Sequence, residues 1–208
     1  MQPRHPTAFN QNDNNKDVLQ NLFALCILLH TFSERVFVLD FLELAKKRKS
    51  VRGFNDREIP EEVVADLLEA ATEAPSGGNC QPWHFFVIRD KTVISKIVEE
   101  SCRQTFILSA QIVIVVCTDV SRNTRYGERG KDLYSLQDTA AAVQNMLLCA
   151  AELGIGSCWC GAFDEDALKK VLKLSSLRPV ALIPFGYFDG DLPKAQRRPL
   201  MESVTYLY

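Results

Sequence analysis

The stretch DTAAAVQNMLLCAAELGIGSCWCGAF, residues 138–163, decides how the rest of the chain is read. From Ala140 to Ala142 and again from Met146 to Ala151 it is apolar almost all round. A helix with so little polar face must be enclosed, either by the core of its own domain or by another subunit. It runs from Asp138 to Leu153 and Gly154 ends it. After the glycine- and cysteine-rich GIGSCWCGAF, a further helix is expected over 164–174, because Asp164 and Glu165 suit the positive first turn.

Working outward, three short runs read as strands: Phe85–Ile88, covered on both faces, Ile112–Cys117, also buried, and Val180–Phe185. Pro184 restricts the last of these to a strand end or a sheet edge. Between them lie helices. Ile59-Pro60-Glu61-Glu62 opens one whose buried face is Val63, Val64, Leu67, Leu68, Ala70 and Ala71, and which Pro75 stops. Val93–Cys102 reads as another. A helix from Asp40 has an apolar face of Phe41, Leu42, Leu44 and Ala45, and Lys46 to Lys49 complement its negative end. The tail ESVTYLY, 202–208, could add a strand. Strands separated by helices make the chain α/β or α+β.

Composition narrows the partners. The chain has 208 residues, 47% hydrophobic and 24% charged, with a net charge of -2. That balance gives no overall field for nucleic acid or an anionic membrane, which leaves a small-molecule partner. The run LFALCILL, Leu22–Leu29, is far short of the ~20 residues that cross a bilayer, so no membrane span is expected. Seven cysteines form an odd set, several of them inside apolar runs, which suits reduced thiols in the cytoplasm. Cys158 and Cys160 lack the further ligands of a structural zinc site. Residues 1–16 are polar and rich in Asn and Gln, so disorder is expected there, with a docking helix over 17–38. Residues 1–39 therefore read as an N-terminal extension to a domain over 40–208.

Two stretches look built for a ligand. APSGGNCQPW, Ala74–Trp83, joins a helix to a strand through a turn of Pro, Ser, Gly and Asn. In KRKSVRGF, Lys47–Phe54, the residues Arg48, Ser50 and Arg52 alternate, so an extended backbone points them to one side. Two guanidiniums and a hydroxyl make a phosphate cradle, or else a solvated charge run. The glycines at 154, 156 and 161 fit neither the Rossmann spacing nor a phosphate loop, and there is no GxSxG elbow. With only His5, His30 and His84, histidine acid-base chemistry is poorly supplied, so a cofactor is expected to carry any reaction. Trp83 reads as core and His84 as surface. Ser121–Lys131 is polar and aperiodic, with Gly127 and Gly130, and reads as a loop that, with the chain near Phe106, shapes an acceptor pocket.

KRKSVRGF, APSGGNCQPWHFFVI, DTAAAVQNMLLCAAELGIGSCWCGAF and RPVALIPFGY, in that order, resemble the nitroreductase family of FMN-dependent oxidoreductases. The resemblance implies an α+β fold of three layers, a central mixed or antiparallel sheet flanked by helices, in an interlocked homodimer with FMN at the interface. It also implies that Arg48 and Ser50 hold the FMN phosphate, that Arg52 lies near the pyrimidine edge, and that Lys49 stands where many relatives have Arg or His. Pro75, Ser76 and Asn79 match the turn that meets FMN, Asn79 from the other protomer. Trp159, Cys160, Gly161 and Ala162 match the segment along the isoalloxazine, with the Gly161 N–H near N5. Arg197, or next to it Arg198, matches a tail residue that returns to the phosphate. The implied activity passes electrons from NADH or NADPH through FMN to nitroaromatics or quinones by a ping-pong cycle, with no catalytic side chain and no metal. Reductive dehalogenation and a flavin-binding sensor or carrier are the alternatives.

Overall fold

The computed structural model describes residues 41–193 and 196–207. The disorder expected for residues 1–16, the helix over 17–38, and the end of the expected tail strand at Tyr208 lie outside the described residues. Residues 44–208 group into one unit by their contacts.

The strands are β1, Trp83–Ile88; β2, Ile112–Thr118; β3, Gly156–Ser157; and β4, Arg178–Gly186. They form one sheet in the order β1-β2-β4-β3, and each neighbouring pair is antiparallel. The α-helices of seven residues or more are α1, Phe41–Lys47; α2, Glu61–Thr72; α3, Lys91–Ile97; α4, Ser135–Glu152; and α5, Glu165–Leu172. Side chains alternate across a strand, and here both faces of β2 meet helices. Ile112, Ile114 and Val116 pack with Leu67 and Ala71 of α2 and with Val143, Met146 and Leu147 of α4. Val113, Val115 and Cys117 face the other way, toward Ile94 and Ile97 of α3 and Leu168 of α5. All seven residues of β2 are buried, which is why its sequence is a continuous apolar run rather than an alternating one. The result is a three-layer α+β fold.

The sequence expectations for α2 and α5 match the observed elements within a few residues, and Asp164 caps α5 by accepting from Ala167 N–H at 2.9 Å. The expected helix over 93–102 begins at Lys91, capped by Asp90, and widens into a π turn over Val98–Cys102. The α4 helix is enclosed on one side only: Ala142, Val143, Met146 and Ala150 are buried, whereas Ala140, Ala141, Leu148, Cys149 and Ala151 remain half-buried.

Three expectations are corrected. Pro184 lies in β4, an inner strand, two residues before its end. Its carbonyl accepts from Cys158 N–H at 3.4 Å, so the missing N–H also points toward the β3 side and leaves the β2 ladder intact. Residues 121–131 are not a loop. A 3-10 stretch, Val120–Tyr126, and a π turn, Gly130–Tyr134, run directly into α4. Polar bonds rather than an apolar face hold this segment, which is why it shows no period: Asp119 accepts from Ser121 N–H at 3.0 Å, and Asn123 is buried. The tail forms a 3-10 turn at Leu200–Glu202, and residues 203–207 join no strand.

Candidate functional site

The basic stretch is placed by the edge of the sheet. Val51 N–H donates to Ser157 O at 2.9 Å and Ser50 bridges Ser157 in parallel, so residues 50–51 run along β3 as a short outer strand. Gly156 permits this approach, because a Cβ there would lie 3.0 Å from Val51 Cβ and 2.8 Å from the Phe188 ring. With Val51 turned into the core, Ser50 and Arg52 are exposed and Arg48 is half-buried. Arg48, Lys49, Ser50 and Arg52 line a cleft of about 320 Å³ whose other wall is Leu192, Pro193 and Arg197. Lys49 Nζ donates to Leu192 O and so ties that wall to the basic strand. Arg198 is exposed and does not line the cleft. The cleft therefore presents guanidiniums, an ammonium and a hydroxyl, and among the described residues no carboxylate lines it, a donor set that fits a phosphate monoester.

Next to this cleft runs Cys158–Ala162. The pairing of β3 with β4 continues in register to a bridge between Cys160 and Leu182, with N···O distances of 2.9 and 3.0 Å. Pro184 interrupts it. Without a proline N–H to accept, Cys158 O takes a bond from the Cys160 thiol at 3.9 Å. Cys158 and Cys160 are buried on the α3–α5 side, and Trp159 is 41% exposed. A hydrogen bond with Cys160, outweighing burial and helped by Arg52, Ser50 and Arg48, holds the Cys158 thiol at about 6. The same hydrogen bond, with burial, pushes Cys160 up. Those partners put Cys158 beside the basic strand. Gly161 and Ala162 are exposed, and a Cβ on Gly161 would meet nothing within 4 Å, so open space lies over its backbone. That space suits a planar ring. Gln104 Nε2 holds Ala162 O at 3.0 Å, whereas Phe106 packs into the α3–α5 core.

Pro75, Ser76 and Asn79 are on a separate turn after α2, and none of them lines the basic cleft. Gly78 and Asn79 are left-handed, φ 54 and 57, a conformation that glycine and asparagine tolerate best. Ser76 Oγ accepts from Gln81 N–H and Asn79 Oδ1 from Gln81 Nε2, both at 3.0 Å. The residue that fixes this turn is one the sequence reading missed. Asp138, buried in the first turn of α4, accepts from Gly77 N–H at 3.0 Å and from Asn123 Nδ2 at 3.1 Å. Its one signal was a carboxylate heading an otherwise apolar helix. Asn123 and Arg125, which donates to Gly78 O, carried no signal in the aperiodic segment. Trp83 packs against the α2–α4 core and His84 is exposed beside Phe86.

A nitroreductase family profile matches residues 45–187. This chain belongs to the nitroreductase family. The "Putative NADH dehydrogenase/NAD(P)H nitroreductase" of Methanothermobacter thermautotrophicus is 36% identical over 158 residues, covering 74% of this chain and 80% of that one. The iodotyrosine deiodinase of Thermotoga neapolitana is 31% identical, covering 76% of this chain and 94% of that one. A structure from Desulfovibrio desulfuricans, solved in complex with FMN, has a TM-score of 0.71 at 32% identity and covers 79% of this chain and 95% of that one. Among the described residues no cluster could hold a metal, and no helix is long and apolar enough to cross a membrane.

Proposed function

We propose that this protein is a cytoplasmic homodimer that takes two electrons from NADH or NADPH on FMN and delivers them to electron-poor small molecules such as nitroaromatics or quinones, the oxidised nicotinamide leaving before the acceptor enters. Its class, an FMN-dependent NAD(P)H oxidoreductase, comes with family membership. The observation that carries the reading is the cleft uniting Arg48, Ser50, Arg52 and Arg197, which no carboxylate among the described residues lines. For a quinone the balance is NAD(P)H + H+ + quinone → NAD(P)+ + hydroquinone. Bound FMN supplies the site that takes up and gives back the hydride.

The chain's own residues bind and orient. Arg48, Ser50 and Arg197 hold the phosphate, with Lys49 fixing the wall that carries Arg197. Arg52 sits at the pyrimidine edge, where positive charge favours the reduced, anionic flavin. The backbone along Trp159, Cys160, Gly161 and Ala162 would lie along the ring, where the Gly161 N–H would offer N5 a donor without adding a titrating group. Pro75 and Ser76 shape the second turn, and Asn79 would bond the polar edge of the ring across the dimer. The half-buried outer face of α4 supports the dimer, since a partner would complete its enclosure. Arg198 is left without a phosphate role.

Purified protein mixed with FMN should bind it stoichiometrically and lose its visible absorption with NADH or NADPH, and Arg48→Ala should weaken binding at least tenfold. Protein that takes up no FMN, or holds FMN that neither nicotinamide bleaches, refutes the proposal. A second reading keeps the flavin and changes the acceptor to an aryl halide, NAD(P)H + Ar–I → NAD(P)+ + Ar–H + I−. The likeness to a deiodinase favours it. Iodide release from an iodophenol, compared with turnover of a nitroaromatic, separates the two.

A further inference from the structure

The segment between β2 and α4 carries four cations, and two of them are already neutralised. Arg122 pairs with Asp119 at 3.7 Å and Lys131 with Glu128 at 2.8 Å. Arg125 and Arg129 form no ion pair among the described residues and are exposed. Each instead lies over a tyrosine: the Arg125 guanidinium is 5.0 Å from the Tyr126 ring centroid, and that of Arg129 is 5.6 Å from Tyr134. The two rings meet edge to face at 5.3 Å, and Arg129 Nε also donates to Tyr134 Oη at 3.3 Å. These contacts orient both guanidiniums without neutralising them.

This group is fastened to the Gly77–Asn79 turn. Arg125 donates to Gly78 O, and the Tyr134 ring closes over Gly77, 3.4 Å from where a Cβ would stand. Asp138 ties the same turn to Asn123 at the foot of the segment. A ledge of two unpaired guanidiniums and two aromatic rings is thus held on the turn assigned to the flavin edge. An aromatic face and a cation so close together can engage a planar ring and an anionic substituent on it at once. A neutral ring gains only the first contact.

We infer that Arg125 and Arg129, with Tyr126 and Tyr134, determine acceptor specificity, and that the preferred acceptors are electron-poor aromatic rings bearing a carboxylate or phenolate. The inference rests on the proposed flavin chemistry, and its test reads a different quantity. The acceptor's charge is compared with 4-nitrobenzoate and the neutral 4-nitrobenzamide in steady-state assays of the full chain loaded with FMN. The KM for the acid should be about tenfold below that for the amide, the low end for a charge-assisted contact at an exposed site. That ratio should shrink as salt is raised. Arg125→Gln and Arg129→Gln should each collapse the ratio by raising the KM for the acid, and Arg125→Lys should restore part of it. FMN content and absorbance report whether each variant has kept its fold, and Tyr126→Phe, which keeps the ring, should retain the ratio.

Equal KM values for acid and amide in the unaltered protein overturn the inference, while bleaching by the nicotinamide would leave the flavin chemistry standing. If the glutamine variants instead raise the KM for NADH or NADPH in the flavin-reduction half-reaction and leave the acid-to-amide ratio alone, the ledge reads the donor's phosphates and the inference is wrong. Protein that binds no FMN takes down both readings.

Discussion

Removing the carboxylate of Asp138 tests whether the flavin turn is held from α4. Asp138 is 7% exposed and accepts from Gly77 N–H at 3.0 Å and Asn123 Nδ2 at 3.1 Å. Hydrogen bonds to a charged group contribute about 1.5–3 kcal/mol each, and Asp138→Ala loses two. Gly77 is only half-buried and water can reach it, so the low end applies and the total is about 3 kcal/mol. With a urea m-value of about 2–3 kcal/mol per M, the unfolding midpoint should fall by roughly 1–1.5 M. Asp138→Asn should behave differently. The new amide keeps one oxygen for Gly77, and Asn123 can turn its own amide so that Oδ1, which has no partner, accepts the new N–H. Its cost should be below about 1 kcal/mol. The assay is urea unfolding of the flavin-free protein, followed by circular dichroism. An alanine variant within about 0.5 kcal/mol of the parent, or an asparagine variant as costly as alanine, refutes the reasoning.

Three further outcomes are expected. A thiolate absorbance step should appear as pH rises through about 6, the value set for Cys158, and should be missing in Cys158→Ser. Because that value lies below the ~8.5 of an unfolded thiol, Cys158 stabilises the fold fully above that pH and the contribution fades as pH falls through 6. Ile114→Ala, in the middle of β2 and fully buried, should cost about 2–5 kcal/mol in the same urea assay. Gly156→Ala should push Val51 off the β3 edge and weaken FMN binding more than it lowers the unfolding midpoint, as read by flavin fluorescence titration; a loss of midpoint with unchanged FMN affinity would detach the basic strand from the cofactor.

Legibility from sequence followed the physical origin of each element. Where burial dictates a pattern, as in β2 and in α2, the apolar run or the helical face was readable from the residues themselves. The basic cluster was readable as residue types but not as a period of two: Lys49 lines the same cleft as Arg48, Ser50 and Arg52, and Arg48 N–H still bonds Leu44 O at the end of α1. What stayed hidden depends on single polar contacts between distant residues. Asn123 and Asp138 are fifteen positions apart and bond only once the segment before α4 has coiled, so no local period announces either of them. The site of Pro184 was misjudged for a related reason. A proline is excluded from an inner strand only if its missing N–H faces a continuous partner, and strand pairing is not written in one strand's sequence. Val204, Thr205 and Tyr206 are strand-forming residue types, yet the described tail joins no ladder.

The gap at Pro184 also governs which parts of the sheet can open independently. At Pro184 the ladder keeps only the Cys158 N–H bond of the usual two, so it is weakest there and divides into two cooperative pieces, each with its own opening free energy. On one side are the β3 pairs to Phe185 and Gly186, and on the other the single bridge from Cys160 to Leu182. The bridge is the weaker piece, so the amide of Cys160 should exchange with solvent deuterium orders of magnitude sooner than those of Ile114 or Val116. Residues 158–163 thus carry the least backbone pairing of the sheet beside a β2–β4 ladder that stays shut. A rigid core would in this way sit directly beneath a backbone that yields.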